Sequence, residues 1–216
     1  MNPSDYDAWY RTPRGAWIGE QEFLLLRDML GPRPGETLLD VGCGTGYFTR
    51  RFAAGGERRV TGLDIDRSWV AYAAAHTAGD TAYVRGTAIG MPFRDSEFDL
   101  AVSVAALCFV ADERRGIREI VRVTKRRFAV GLLHRRSLLY LQKGRNGGKG
   151  AYRGAHWHTE AEIRELFSGL PVAGLHVRAA VALPAGGFFA QAMEPLLSPW
   201  WPFASFIAVA GDVVRR

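Results

Sequence analysis

The chain has 216 residues, of which 48% are apolar and 23% are charged, as is ordinary for a globular fold. This length predicts a single domain over residues 1–216, large enough to need no disulfide or metal for stability. Its two cysteines, Cys43 and Cys108, exclude a disulfide scaffold and a four-cysteine zinc site. The net charge of +6 is typical of proteins with anionic partners, but the arginines are spread along the whole chain.

The amino terminus is polar and aromatic and lacks the apolar segment of a signal peptide. The longest uncharged stretch, residues 195–211, is shorter than the ~20 apolar residues of a membrane span and contains three prolines. We therefore expect no leader and no membrane span. Free cysteines fit the reducing cytoplasm, which is the predicted location.

Short apolar runs alternate with amphipathic ones along the chain, a pattern typical of a parallel sheet covered by helices on both faces. The sequence thus predicts a doubly wound, Rossmann-like α/β fold. The predicted strands are residues 37–41, 60–65, 81–85, 98–105, 128–133, 172–183 and 206–210. The predicted helices are residues 19–30, 45–54, 66–76, 112–123, 159–168 and a short one within 187–197.

Two helix starts carry capping signals, and one segment reads as a loop. Asp66 is expected to be the N-cap of its helix, and Thr159 with Glu162 forms a predicted capping box. Residues 142–154 are rich in glycine and basic residues and predict a surface loop.

The most informative segment is Leu38–Phe52, LLDVGCGTGYFTRRF. A buried strand is followed by Gly42, Gly44 and Gly46 at alternate positions and then by a helix. Glycines let the backbone turn sharply and approach a ligand closely, and the helix N-terminus offers free N–H groups. This pattern indicates a nucleotide-type site at the carboxyl end of a strand, where open α/β sheets bind ligands.

The spacing of the glycines restricts which class of nucleotide ligand the site can bind. The dinucleotide fingerprint ends in Gly or Ala, whereas this chain has Tyr47 there, whose ring obstructs close packing around a pyrophosphate. No Gly-Lys-Ser/Thr follows, which excludes a P-loop. A nicotinamide oxidoreductase is accordingly the least favoured function.

Four motifs in order resemble those of the class I S-adenosylmethionine-dependent methyltransferases. LLDVGCGTG matches the first motif, Val60–Asp66 the second, Arg85–Phe93 the third-strand motif and Phe98–Leu107 the fourth-strand motif. The chain looks most like the bacterial branch that includes the ubiquinone/menaquinone biosynthesis methyltransferases, methyltransferase type 11. The resemblance extends from about Glu36 to Val130, under half of the chain.

The resemblance implies a seven-strand sheet whose last strand is antiparallel, with S-adenosylmethionine as cofactor and S-adenosylhomocysteine as product. It divides the chain into an amino-terminal lid over 1–35, a cofactor-binding core over 36–134 and a substrate side over 135–216. The expected cofactor-binding residues are Tyr10, Trp17, Asp40, Gly42, Cys43, Gly44, Asp64, Ile65, Thr87, Ala88 and Ser103.

Some of these residues have a physical role of their own. Asp64 ends an apolar strand, where its carboxylate can accept hydrogen bonds from two ribose hydroxyls. Asp40 has three readings: it orders the glycine turn, faces the methionine amino group, or forms a local Asx turn. Tyr10 and Trp17 are the preferred lid residues, since aromatic rings stabilise a sulfonium; the alternative is an aromatic staple onto the core.

The chain departs from the family at three places. Thr87 stands where an acidic residue is usual, Lys125-Arg126-Arg127 replaces Pro-Gly-Gly, and Cys108 replaces a frequent histidine. No general base is evident, and His134 and His156 are the weak candidates. Both cysteines are expected to be buried packing residues, and no metal ligand set is predicted.

Methyl transfer to a small molecule is the leading function. The fourth-strand motif lacks Asn/Asp-Pro-Pro-Tyr/Phe, which counts against methylation of exocyclic base amines. An RNA methyltransferase is the alternative, favoured by the basic balance and the loop from Lys143 to Arg153. A non-catalytic S-adenosylmethionine-binding protein is the third hypothesis, and the methyl acceptor and oligomeric state stay open.

Overall fold

A computed structural model describes residues 2–56, 58–77, 79, 81–197 and 202–215. Its centre is a seven-stranded sheet with the order β3-β2-β1-β4-β5-β7-β6. The strands are β1 (Thr37–Val41), β2 (Arg59–Asp64), β3 (Ala82–Arg85), β4 (Phe98–Val104), β5 (Thr124–Leu133), β6 (Val172–Ala180) and β7 (Phe206–Val213). Strand β7 pairs antiparallel with both β5 and β6, which confirms the predicted mixed sheet.

Helices cover both faces of the sheet, as the alternating pattern predicted. They are α1 (Pro3–Trp9), α2 (Pro13–Leu30), α3 (Tyr47–Ala53), α4 (Arg67–Ala75), α5 (Glu113–Val123), α6 (Glu160–Leu166) and α7 (Phe188–Leu197). Asp66 caps α4 by accepting from Ser68 N, and Thr159 with Glu162 forms the capping box of α6. Both predicted capping signals are thus confirmed.

The central strands are buried because helices cover them on either side. Leu39 and Val41 of β1 enter one apolar core, while Leu38 enters the other. Successive side chains of a strand point to opposite faces, so a strand covered on both faces is a continuous apolar run. This explains why the central strands were easy to predict.

Three elements differ most from the sequence prediction. Helix α1 was not predicted, and Thr12 with Pro13 starts α2 six residues earlier than expected. Strand β5 begins at Thr124 rather than at residue 128 because its basic residues are ion-paired. Arg126 pairs with Glu36 at 2.6 Å, and Arg127 pairs with Asp212 at 2.7 Å.

The order of the strands creates a candidate binding crevice at the middle of the sheet. Strand β1 lies between β2 and β4 and is parallel to both, so the chain winds away from β1 in opposite directions. The carboxyl ends of the three strands therefore meet, and the connections on either side of β1 separate. This crevice is where open α/β sheets bind ligands.

The segment predicted as a loop, 142–154, contains parts of two short helical turns joined by non-helical residues. A π-helical turn spans Tyr140–Gly144 and a 3-10 turn spans Gly150–Tyr152. Among the described residues, no helix is both long enough and apolar enough to cross a membrane.

Candidate cofactor cavity

A cavity of about 650 Å³ lies at the carboxyl ends of β1 to β4. Nine of the predicted cofactor residues line it: Tyr10, Asp40, Gly42, Cys43, Gly44, Asp64, Ile65, Thr87 and Ala88. The fold thus brings residues from the amino terminus, the glycine turn and the ends of β2 and β3 together around one space.

The glycine turn is held by strand β2. The backbone N–H groups of Gly42 and Cys43 both donate to Leu63 O, at 2.7 and 3.0 Å. Gly42, Gly44 and Gly46 all have positive φ, which side chains other than glycine adopt only with strain. The alternating glycines therefore follow from the backbone geometry of this turn.

Close approach adds a second requirement for glycine. A Cβ placed on Gly42 would lie 2.2 Å from the Cβ of Ala106, and one on Gly44 would lie 3.2 Å from the ring of Trp69. The turn thus packs against the loop after β4 on one side and against α4 on the other.

Asp64 is the carboxylate that organises the turn. Its Oδ2 accepts from Gly44 N at 2.9 Å, and its Oδ1 accepts from Asp66 N at 3.0 Å. Two backbone donors fix the carboxylate at the end of β2, where it lines the cavity. Each oxygen keeps a second lone pair for a further donor.

Asp40 has a different partner from those expected. It is buried at the end of β1, and its Oδ2 accepts from Thr49 Oγ1 at 2.7 Å, which links β1 to α3. Burial raises the pKa of Asp40 to about 7; the Thr49 hydrogen bond opposes this rise and the charge of Asp64 adds to it. The glycine turn is ordered by Asp64 and not by Asp40.

The far end of the cavity is formed by the segments after β2 and β3. Ile65 is 66% exposed although apolar, and it stands at the cavity beside Thr87 and Ala88. Thr87, which replaces the family's acidic residue, accepts from Ile89 N at 3.4 Å. Its hydroxyl keeps a donor hydrogen that faces no protein acceptor among the described residues.

Aromatic residues line the cavity beside the glycine turn, among them Tyr6, Tyr10, Tyr47 and Trp69. Tyr10 stacks on Tyr47 with ring centres 3.7 Å apart and planes 7° from parallel. Tyr6 lies 5.0 Å from Trp69, and the two phenol oxygens of Tyr6 and Tyr10 are 3.4 Å apart. Asp7 binds Arg50 at 2.8 Å and so holds α1 against α3. Helix α1 and Tyr10 thus pack against α3 and α4, beside the glycine turn.

Two predicted cofactor residues are placed elsewhere. Trp17 is not among the residues that line the cavity, and its ring packs against the segment of Gly186. Ser103 is buried within β4 and donates to Val41 O at 2.9 Å. Its hydroxyl links two strands, so it is occupied by the sheet itself.

The two candidate bases also lie away from the cavity. His134 is buried, and its Nδ1 contacts Ala204 O at 2.9 Å; burial lowers its pKa. His156 and His158 donate to the two carboxylate oxygens of Glu113 at 2.9 and 2.8 Å. This group lines a second cavity of about 510 Å³. Neither His134 nor His156 lines the cofactor cavity.

The two cysteines are buried, as expected for packing residues. Burial raises the pKa of the Cys43 thiol, and it raises the pKa of Cys108 to about 12. Cys108 Sγ accepts from Leu133 N at 3.3 Å. Thiols in these environments stay protonated and are poor nucleophiles. Within the described ranges, no group of three or more His, Cys, Asp or Glu residues is placed to hold a metal ion.

Sequence reasoning missed several residues that line the cavity. Tyr6 precedes a chosen aromatic by one helical turn, and Trp69 lies in the first turn of α4, after the strand that ends in Asp64. Their positions beside predicted site residues were the available signal. Ala105 at the end of β4 has a φ of 54°, a strained conformation that no sequence pattern announced.

One segment of the chain matches a known protein family. Residues 39–127 match the family model described as "Methyltransferase domain". This match, which covers under half of the chain, supports the resemblance to the class I S-adenosylmethionine-dependent methyltransferases.

Curated relatives are similar over the same region. A malonyl-[acyl-carrier protein] O-methyltransferase of Erwinia pyrifoliae is 40% identical over 95 residues, 43% of this chain and 36% of the relative. A 24-methylenesterol C-methyltransferase of Oryza sativa is 39% identical over 103 residues, 45% of this chain and 28% of the relative. The matched regions span only about a third of these relatives.

Solved structures share the fold over nearly the whole chain. A methyltransferase of Thermotoga maritima superposes with a TM-score of 0.76 at 23% identity, covering 97% of this chain and 95% of that one. A methyltransferase of Mesorhizobium loti gives 0.66 at 24% identity, covering 88% and 97%. At these identities the likeness concerns the fold alone.

Proposed function

We propose that this protein binds S-adenosylmethionine in the cofactor cavity and transfers its methyl group to a small-molecule acceptor. The observation that carries the proposal is the pairing of the glycine turn with Asp64 at the edge of a cavity of about 650 Å³. The family of the domain supports the same cofactor. When bound, this cofactor supplies an electrophilic methyl group on a sulfonium.

The residues of the cavity fit the parts of this cofactor. Asp64 would accept from the ribose hydroxyls, since each of its oxygens keeps a free lone pair. Ile65, Thr87 and Ala88 would flank the adenine, and the exposed apolar Ile65 gains most from being covered. The glycine turn and Asp40 would hold the amino-acid part.

The chain's contribution to the reaction is positioning and exclusion of water. Methyl transfer is an in-line displacement, so holding the acceptor against the methyl group provides much of the acceleration. Tyr10 and Tyr47, which stack on each other, both line the cavity, where aromatic rings would stabilise a sulfonium. Neither predicted histidine base is needed in this scheme.

The test is calorimetric titration of S-adenosylhomocysteine into the wild type and Asp64→Ala, with NAD as the control ligand. We expect micromolar binding of S-adenosylhomocysteine alone and a loss of about tenfold or more in the variant, because charge-assisted hydrogen bonds are lost. Asp28→Ala is the control, since this exposed carboxylate lies on α2, away from the cavity lining, and pairs with Arg178. Absence of binding to the wild type would refute the proposal.

RNA methylation is the second candidate, favoured by one observation. Lys143, Arg145, Lys149 and Arg153 are exposed in a segment that holds no acidic residue between Glu119 and Glu160. A cluster of exposed cations is what a phosphate backbone binds. Labelled methyl donor supplied with total RNA and, separately, with a small-molecule extract distinguishes the two acceptors. Label in the RNA fraction alone would replace the leading proposal.

A further inference from the structure

The cofactor cavity extends to a side of β1 that the proposed nucleoside contacts leave free. The sheet order puts β2 and β3 on one side of β1 and β4 on the other. Asp64, Ile65 and Thr87, which would bind the nucleoside, lie at or just after the ends of β2 and β3. The residues that follow β4 line the same cavity. They therefore provide a surface for a second molecule, the methyl acceptor, beside the cofactor.

This surface, residues 104–111, is here named the β4 wall, and it presents only apolar side chains. Seven of its eight residues line the cavity, and each of the seven is alanine, valine, leucine or phenylalanine. The eighth, Cys108, is buried, and its Sγ accepts from Leu133 N at 3.3 Å. An acceptor that lies on the β4 wall thus meets no polar side chain there.

The charged residues that come next in the chain are bound elsewhere. Asp112 accepts from Arg115 N at 2.9 Å and caps α5. Glu113 binds His156 and His158 at 2.9 and 2.8 Å. Neither carboxylate lines the cofactor cavity, so the β4 wall ends without a charge.

The cavity as a whole has acidic but no basic lining residues. Asp40, Asp64 and Asp66 are its charged residues, and they lie at the ends of β1 and β2. Among the described residues that line it there is no Lys, Arg or His. An anionic acceptor would lose its hydration here without gaining a counter-charge. A cationic acceptor on the β4 wall would be desolvated against apolar side chains, so neither sign of charge is favoured.

Phe109 is the large side chain that the wall leaves open. Its backbone N donates to Ala106 O at 3.0 Å, and the neighbouring Cys108 O accepts from His156 N at 2.7 Å. Ala105 at the start of this turn is held at a strained φ of 54°, as is typical of functional sites. Phe109 lines the cavity although 51% of it is exposed, so a ligand that covers it removes apolar surface from water.

We propose that the methyl acceptor is an uncharged, apolar molecule whose body lies on the β4 wall, with Phe109 as its principal contact. The proposal rests on the proposed function and names the substrate class of the same site. Covered apolar surface would supply the binding free energy and would exclude water beside the cofactor. Apolar area and the absence of charge set the specificity, so a change of either at Phe109 alters which acceptor is bound.

The experiment measures binding to the protein saturated with S-adenosylhomocysteine. Three probes share one ring system and differ in charge at neutral pH: 2-naphthol is uncharged, 2-naphthoate is an anion and 2-naphthylmethylamine is a cation. Calorimetry is carried out on the wild type, Phe109→Ala, Phe109→Arg and Phe188→Ala. Phe188 is the matched control because it is an exposed phenylalanine on α7 that does not line the cavity.

We expect 2-naphthol to bind the wild type and Phe188→Ala equally, and each ion to bind them at least about tenfold more weakly. Phe109→Ala should weaken the binding of 2-naphthol about tenfold, since apolar contact area is lost. Phe109→Arg should reverse the preference between 2-naphthol and 2-naphthoate, because it places a cation on the wall.

Four results would each overturn the proposal. They are an ion that binds the wild type as tightly as 2-naphthol, no binding of 2-naphthol, undiminished binding of 2-naphthol to Phe109→Ala, and an unchanged preference in Phe109→Arg. The affinity for S-adenosylhomocysteine is measured first on the same samples. No cofactor binding to the wild type would refute the proposed function, whereas normal cofactor binding with one of the four results would refute only the acceptor class.

Discussion

At the scale of single residues, Gly42 combines two constraints that usually occur apart. Its φ is +74°, and a Cβ at this position would meet the Cβ of Ala106 at 2.2 Å. Gly35, in the turn before β1, shares the first constraint with a φ of +81° but has no heavy atom within 4 Å of a Cβ. Comparing substitutions at the two glycines therefore separates the effect of backbone strain from the effect of close contact.

We predict that Gly42→Ala destabilises the protein more than Gly35→Ala does. Left-handed strain costs about 1 kcal/mol in both variants, and the contact with Ala106 adds about 1–3 kcal/mol in Gly42→Ala. Urea unfolding measures the difference, and calorimetry should show loss of S-adenosylhomocysteine binding in Gly42→Ala alone. Equal unfolding free energies would show that the loop of Ala106 yields without cost.

At the scale of elements, Glu113 at the start of α5 binds the segment that contains His156 and His158, close to residues that line the cofactor cavity. One carboxylate accepts from both His156 and His158, and His156 N also donates to Cys108 O at 2.7 Å. Cys108 is the middle residue of the 3-10 turn Leu107–Phe109, and both Leu107 and Phe109 line the cavity. The candidate base His156 thus links two loops together with His158, whereas His134 lies outside this group.

Removing the Glu113 carboxylate should lower the unfolding free energy more than removing an exposed carboxylate does. We predict that Glu113→Ala lowers the unfolding free energy by about 1–3 kcal/mol, because the buried His158 loses its partner. Glu160→Ala, which breaks only a surface pair with Arg164, should cost under about 0.5 kcal/mol. Chemical denaturation measures both values. A similar loss of unfolding free energy in the two variants would contradict a linking role for Glu113.

At the scale of the whole molecule, two acidic side chains have a pKa raised far above the ordinary value. The pKa of Glu22 is raised to about 8 and that of Asp40 to about 7, chiefly by burial in both cases. Each ordinary value lies near 4, so over this range the folded protein binds more protons than the unfolded chain. Their contribution to stability is greatest below pH 4 and falls as the pH rises through 7 to 8.

We predict that the unfolding free energy of the wild type falls between pH 6.5 and 8, and that Glu22→Gln reduces this fall. The variant should gain on the wild type by about 1 kcal/mol per pH unit in this window, since one titrating proton is removed. The buried His134 titrates below the window because burial lowers its pKa. Asp28→Asn should keep the wild-type pH dependence, and parallel curves for wild type and Glu22→Gln would contradict the pKa of Glu22.

Local sequence was sufficient for the features that depend on neighbouring residues. The order of strands and helices, the caps at Asp66 and Thr159, the glycine turn and the position of Asp64 all follow from contiguous segments. The periodicity of a strand or helix and the backbone needs of a tight turn are short-range properties. The family match over residues 39–127 spans the same contiguous elements.

Tertiary structure alone decided which distant side chains share the cavity. Tyr10 and Trp17 are seven residues apart, yet the first stacks on Tyr47 at the cavity and the second packs against Gly186. Such placements depend on how whole elements pack, and packing is set by contacts between segments far apart in the chain.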